Sequence, residues 1–148
     1  MRALDIMTPN PRVVTPGETV RVVAALMRDH DVGMVPVVGD RATMRVVGVI
    51  TDRDITVRGV AGGMAADCPA QEIMSHDVLH RVEPDDEIEA VLNLMRLEKV
   101  RRVLVVAANG RLLGLIAQAD LLLHAGPEHP VAVERVLAAI SEPAVLHG

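Results

Sequence analysis

Nearly every segment of this chain occurs twice in the same order, and that repetition limits what it can fold into. Ile6-Met7-Thr8 returns as Ile73-Met74-Ser75, and Pro16 as Pro84, each opening a helical pattern. The apolar positions Val20, Val23, Ala24 and Met27 return as Ile88, Val91, Leu92 and Met95. Both sets have the i, i+3, i+4, i+7 spacing of an amphipathic helix. Each helix precedes an apolar run, Val35-Pro36-Val37-Val38 or Val103-Leu104-Val105-Val106, and then a turn, Gly39-Asp40 or Asn109-Gly110. A second run follows, Val46 to Ile50 or Leu112 to Ile116, and each copy closes on a helix start, Thr51 to Ile55 or Ala117 to Leu121.

The order is therefore short strand, helix, strand, turn, strand, helix, given twice. The strand runs are short, rich in β-branched residues and bounded by turn residues. Their apolar positions are consecutive, as expected for strands covered on both faces. One copy, about 60 residues long, buries too little surface to be stable alone, so two copies are expected to pack against each other. Residues 1–64 form the first copy with its lead-in and 65–125 the second, joined through the small-residue stretch Gly59 to Ala66. Residues 126–148 form an extension in which Val133, Val136, Leu137 and Ile140 predict a short amphipathic helix, docked on the body or on a partner.

Composition narrows function. The chain has 148 residues and is half hydrophobic, yet it contains no Phe, Trp or Tyr. Without these three side chains there is no aromatic stacking platform for bases, which argues against single-strand nucleic-acid binding. A formal net charge of -5 repels phosphate backbones and anionic lipid. No apolar run approaches the ~20 residues of a membrane span. Cys68 is the sole cysteine, which leaves no internal disulfide and, without a basic neighbour in sequence, no catalytic thiol. The N-terminus lacks the features of a signal peptide, so a cytoplasmic protein is expected. The histidines His30, His76, His80, His124, His129 and His147 are scattered, and no metal site is expected from them.

One motif carries chemistry. Gly48-Val-Ile-Thr51-Asp52-Arg53-Asp54 fits Gly-x-x-Thr-x-x-Asp at a strand-to-helix junction. The glycine lets a ligand approach the backbone. The helix start offers unpaired N–H groups to a phosphate. Thr51 adds a hydroxyl, Asp54 can accept both ribose hydroxyls, and Arg53 can reach an anion. Taken alone, Thr51-x-x-Asp54 reads first as a capping box. The motif returns as Gly114-Leu-Ile-Ala117-Gln-Ala-Asp120, where the cap residue is gone and the acid stays. Thr15-Pro16-Gly17-Glu18 is a second capping box with Pro at N1, and there the structural reading holds.

With these pieces in order, the two copies resemble CBS domains, and the chain resembles a stand-alone CBS pair, or Bateman module, over about Ala3 to Ala125. Among small CBS pairs it is most similar to the mycobacterial hypoxic-response type, with its Pro-containing extension. The resemblance implies an α+β fold of two β-α-β-β-α repeats packed with pseudo-two-fold symmetry. It implies a non-catalytic sensor binding AMP, ADP or ATP in the cleft between repeats, with NAD and S-adenosylmethionine as further ligands of the family and no cofactor required. Thr51 and Asp54 match the phosphate-proximal hydroxyl and the ribose acid. Asp120 matches the acid of the second site, where Ala117 has replaced the usual hydroxyl. Arg101 and Arg102 stand where the family places basic phosphate ligands, and they read equally as a solvated helix-to-strand corner. Gly33 and Met34 hold that place in the first copy. Val14-Thr15 and Arg81-Val82 border the slots where backbone groups would read adenine. The resemblance also implies a homodimer and a protein effector. The alternative is a ligand-free scaffold acting through protein–protein contacts, and Ala117 favours it.

Overall fold

The protein was analysed as a computed structural model, which describes residues 1–76 and 79–142. In chain order the elements are α1 (Ala3–Ile6), β1 (Thr8–Pro9), α2 (Val20–His30), β2 (Met34–Val38), β3 (Val46–Thr51), α3 (Asp52–Asp54), β4 (Arg81–Val82), α4 (Ile88–Glu98), β5 (Arg102–Val106), β6 (Leu112–Ala117), α5 (Gln118–Asp120) and α6 (Pro130–Ile140). In both copies the single-turn helix after the second long strand runs directly into a π-helical stretch, Ile55–Val60 after α3 and Leu121–Ala125 after α5.

These elements form two compact units. Unit 1 gathers Met1–Pro9, His80–Ala107 and Leu113–Gly148; unit 2 gathers Asn10–Leu79 and Ala108–Leu112. The repeats along the chain and the units in space are thus different partitions, because each lead-in joins the other copy. Thr8 pairs with Leu115 and Pro9 with Gly114, while Ser75 bridges to Val49. A two-stranded hairpin has unsatisfied N–H and C=O groups along its edges. The exchanged lead-in covers one such edge in each unit, with Val49 and Ser75 trading hydrogen bonds of 2.9 and 2.8 Å.

In unit 2, β2 and β3 are antiparallel with Met34 opposite Thr51 and Val37 opposite Gly48. Val14 lies parallel beside Val37 on the far edge. The core is wholly aliphatic: Val14, Val20, Val23, Val35, Val37, Ile50, Ala70 and Ile73, with α2 laying Val20 and Val23 onto it. The hairpin turn Ala108–Leu112 is held here too, with Arg111 Nη1 donating to Ala42 O at 3.1 Å.

Unit 1 has the equivalent sheet in the order β1-β6-β5-β4, with β4 parallel to β5. Its core includes Ile6, Ile88, Val91, Met95, Val103, Val105, Ile116 and Leu121. The expected C-terminal helix forms as α6, with Pro130 at its start and Val133, Val136 and Ile140 buried. It packs against α4, and Lys99 Nζ reaches Glu142 at 2.6 Å. The extension beyond residue 142 lies outside the described residues.

The capping box expected at Thr15 to Glu18 does not start a helix. Glu18 Oε2 accepts the Thr15 N–H at 2.6 Å and the Glu18 N–H donates to Thr15 O at 3.1 Å, closing a turn around Pro16. Helix α2 begins later, where the Thr19 hydroxyl accepts the Val22 N–H at 3.3 Å. Glu83 and Asp86 close the same turn around Pro84, with the Glu83 N–H 2.9 Å from Asp86 Oδ2.

Candidate functional site

The open end of the β2–β3 hairpin positions the site. Met34 stands opposite Thr51, and the Asp52 N–H donates to Gly33 O at 3.0 Å, which fixes the exit of the chain from strand to helix. Thr51 has an extended backbone and caps α3. Its Oγ1 accepts the Asp54 N–H at 3.1 Å, and Asp54 Oδ2 accepts the Thr51 N–H at 2.9 Å. The capping box is therefore real and reciprocal.

It does not exhaust the carboxylate. An ionised carboxylate has about four lone-pair positions. Asp54 Oδ1 meets only Arg58 Nε, at 3.9 Å, among the described residues. The Asp54 side chain is 13% exposed, so this oxygen sits at a partly desolvated mouth. The Thr51 hydroxyl accepts in the box and keeps its own proton for donation. Arg58 Nη1 also donates to Met74 O at 3.3 Å, which holds its guanidinium across the corner.

Two expected features take another form. The first N–H groups of α3 are already paired: Asp52 with Gly33 O, Arg53 with Asp52 Oδ1 at 2.9 Å, and Asp54 with Thr51 Oγ1. The corner therefore presents hydroxyl and guanidinium groups rather than bare amides. The glycines serve the exchanged lead-ins rather than a ligand. A Cβ on Gly48 would lie 2.8 Å from Met74 Sδ and 3.0 Å from Ser75 O; on Gly114 it would lie 2.6 Å from Met7 Sδ and 2.7 Å from Thr8 O.

In unit 1 the corresponding acid is differently occupied. Asp120 is 9% exposed. Its Oδ2 accepts the Ala117 N–H at 2.7 Å and its Oδ1 accepts the Thr8 hydroxyl at 2.8 Å. Ala117 offers no side-chain cap, so Thr8 on β1 supplies the hydroxyl at this corner. Arg102 opens β5 and is half-buried, and Arg101 beside it is exposed.

The structure thus brings together Gly33, Met34, Thr51 and Asp54, with Arg53 exposed at the rim. Val14 is fully buried, and its N–H and C=O pair with Pro36 O and the Val38 N–H at 3.1 and 2.9 Å. These bonds tie Val14 into the sheet beside β2. Thr15 is occupied likewise: its N–H and hydroxyl both point at Glu18 Oε2, 2.6 and 3.3 Å away. Both lie beside the far end of β2, about 10 Å from Met34 at the rise of a strand. Val82 is buried in β4 opposite Val105, with Arg81 exposed next to it. Sequence reasoning overlooked Arg58 and Thr8. The i+4 spacing from Asp54 could have revealed the first. Thr8 lies 112 residues from its partner, and no local pattern reveals it.

Glu18 anchors a neighbouring cluster. Burial works to raise its pKa, but the Thr15 N–H and the Arg41 guanidinium, 2.8 Å away, hold it below the ordinary value of 4.5. Among the described residues, no group of three or more His, Cys, Asp or Glu side chains is arranged to hold a metal ion. No helix among them is long and apolar enough to cross a membrane. His147 lies outside the described residues.

The family model for the CBS domain matches the chain twice, over residues 3–58 and 70–126. The chain belongs to the CBS-domain family. As a CBS pair it is 35% identical over 144 residues to Hypoxic response protein 1 of Mycobacterium tuberculosis, covering 97% of this chain and 96% of that one. The crystal structure of Hypoxic Response Protein I with two coordinated zinc ions is similar at a TM-score of 0.74 and 34% identity, over 84% of this chain and 98% of the other. CBSX2, solved in complex with AMP, is similar at a TM-score of 0.70 and 26% identity, over 84% of this chain and 95% of the other. The tandem α+β architecture expected from the repeats is the architecture of these CBS pairs. This CBS pair is a regulatory module.

Proposed function

We propose that this CBS pair is a non-catalytic sensor that binds an adenine nucleotide, AMP, ADP or ATP, at the Thr51–Asp54 corner of unit 2. The carrying observation is the half-engaged Asp54 carboxylate, with Oδ2 in the capping box and Oδ1 facing the mouth beside Arg58. Two vicinal ribose hydroxyls match an acceptor that keeps lone pairs while its backbone geometry is fixed. Thr51 and the guanidinium groups of Arg53 and Arg58 would meet the phosphate. The AMP complex of the similar CBSX2 supports this choice of ligand class. Asp120 has a hydrogen bond on each oxygen already, which ranks its corner second.

Calorimetric titration with AMP, ADP and ATP tests the reading. Losing the charged acceptor of the ribose should weaken binding about 10- to 100-fold in Asp54→Ala, at ~1.5–3 kcal/mol for hydrogen bonds to a charged group. Asp54→Asn keeps a side-chain oxygen for the Thr51 N–H and separates loss of charge from loss of the cap. Asp120→Ala should weaken binding less. Equal losses at Asp54 and Asp120 would show that the wrong corner was chosen.

A ligand-free scaffold is the second reading. It is favoured by the complete pairing of the first α3 amides, which leaves the corner stable when empty. Absence of binding heat with all three nucleotides would decide for it. Under either reading a homodimer fits the apolar side chains left in solvent on the two π-helical stretches. These are Val57 and Val60 in unit 2, and Leu122 and Leu123 in unit 1. Light scattering of the eluting protein should give twice the chain mass.

A further inference from the structure

A groove of about 260 Å³ lies on unit 1 where α6 crosses α4, lined by Leu92, Asn93, Arg96, Ala132, Arg135 and Val136. Its floor is apolar: Leu92 and Val136 are buried core residues and Ala132 is half-buried. The small Ala132 side chain leaves the space open. Its rim is polar and basic. Asn93 and Arg96 stand at i and i+3 on α4, and Arg135 follows Ala132 at the same spacing on α6, so each helix contributes one arginine to the lining. Arg96 Nη2 makes a long contact to Asn93 Oδ1, 3.4 Å. Neither arginine has an ion pair with a carboxylate among the described residues, although acidic residues outnumber basic ones in this chain by 20 to 15. Two arginines lining one small cavity offer an anion two guanidinium partners.

We propose that this groove is a second ligand site, separate from the Thr51–Asp54 corner, for a small organic monoanion with a short aliphatic body. The volume lies just below the ~300 Å³ at which ordinary small-molecule pockets begin, so the occupant has few heavy atoms. The aliphatic body rests on Leu92, Ala132 and Val136. The anionic head is taken by the planar forks of Arg96 and Arg135, which suit a carboxylate. The site lies entirely within the packing of α6 on α4, so its occupancy ties the C-terminal helix to the second repeat.

Hexanoate is the probe, with 1-hexanol and inorganic phosphate as controls, and amide chemical shifts of the full chain are the readout. Hexanoate should give saturable shifts confined to 92–96 and 132–136. Hexanol, lacking the charge, and phosphate, lacking the body, should each bind at least about tenfold more weakly. Arg96→Gln and Arg135→Gln should each cost about tenfold in hexanoate affinity, the value of one charge-assisted hydrogen bond. Both are exposed rim residues, and the amide spectrum reports whether each variant is folded. Asp54→Ala should leave hexanoate binding unchanged, which keeps this site distinct from the nucleotide corner. Shifts that do not saturate, phosphate binding as tight as hexanoate, or unaltered affinity in the double arginine variant would each overturn the proposal.

Discussion

Gly114→Ala tests whether the strand glycines serve the exchanged lead-ins. An alanine methyl at this position would lie 2.7 Å from the Thr8 carbonyl oxygen and 2.6 Å from Met7 Sδ. The sulfur is the end of a flexible side chain and can move. The carbonyl belongs to β1, whose Thr8 and Pro9 are registered against Leu115 and Gly114, so relief requires that strand to shift. Overpacking of this kind costs about 1–3 kcal/mol. Gly114 has no positive φ, so the substitution brings no backbone strain, and a less flexible unfolded chain returns about 0.4–1 kcal/mol. The net expectation is a loss of about 1–2 kcal/mol, or about 3–8 °C in Tm for a chain of this length. Gly48→Ala should cost less, because its closest backbone neighbour, Ser75 O, is 3.0 Å away. Dye-monitored thermal melts and urea titrations read both variants, since no Trp or Tyr is present for intrinsic fluorescence. If Gly114→Ala matched the parent in stability, or Gly48→Ala were the more damaging, the packing argument would be refuted. A loss of nucleotide affinity in Gly48→Ala with unchanged stability would restore the ligand-approach reading of that glycine.

Other perturbations follow from single contacts. Thr8→Val leaves the 9%-exposed Asp120 with one partner fewer and should cost about 1–3 kcal/mol in urea unfolding, whereas Thr8→Ser should be near neutral. Thr19→Ala removes the cap of α2 and should cost about 1 kcal/mol, more than any effect of Thr15→Ala on the same helix read by amide exchange. Glu18 has a lowered pKa in the folded protein, so its contribution is complete above its ordinary value of 4.5 and fades as the pH falls below that toward the folded value. The parent should therefore lose stability relative to Glu18→Gln only on the acid side of 4.5, and a difference that grew above that pH instead would reverse the sign of the argument. The exposed Lys99–Glu142 pair should contribute little, about 0–1 kcal/mol, to unfolding of α6 in Lys99→Ala.

The sequence showed the strands, both long helices and the C-terminal helix because each is written locally, in a period of 3.6 or a β-branched run. The start of α2 was harder. Two overlapping cap patterns, at Thr15 and at Thr19, precede the same apolar stripe, and the one with the acidic partner closes a turn instead. The grouping of the units was not legible. It depends on which hairpin edge each lead-in covers, and a repeated sequence offers both edges equally. At the site, Thr51 and Asp54 were readable because their spacing is their geometry. The pairing of the Asp52 amide was not, because its partner Gly33 O lies just before β2, far away along the chain.

The two acids show how duplicated halves come to differ. Both copies keep an Asp three residues into the strand-to-helix turn, and in both one carboxylate oxygen holds the backbone N–H at the turn. That shared bond is structural and explains why the acid persists in the copy that has Ala117. The second oxygen is where the copies differ. In unit 1 the Thr8 hydroxyl holds it at 2.8 Å, so a ribose there must displace a buried hydrogen bond. In unit 2 its only neighbour among the described residues is Arg58 at 3.9 Å, with its guanidinium already steadied by Met74 O. Under the proposed function, a nucleotide at that corner would gain a hydrogen bond without breaking one, and its phosphate would meet a cation. One corner has become a fixed joint and the other remains an acceptor.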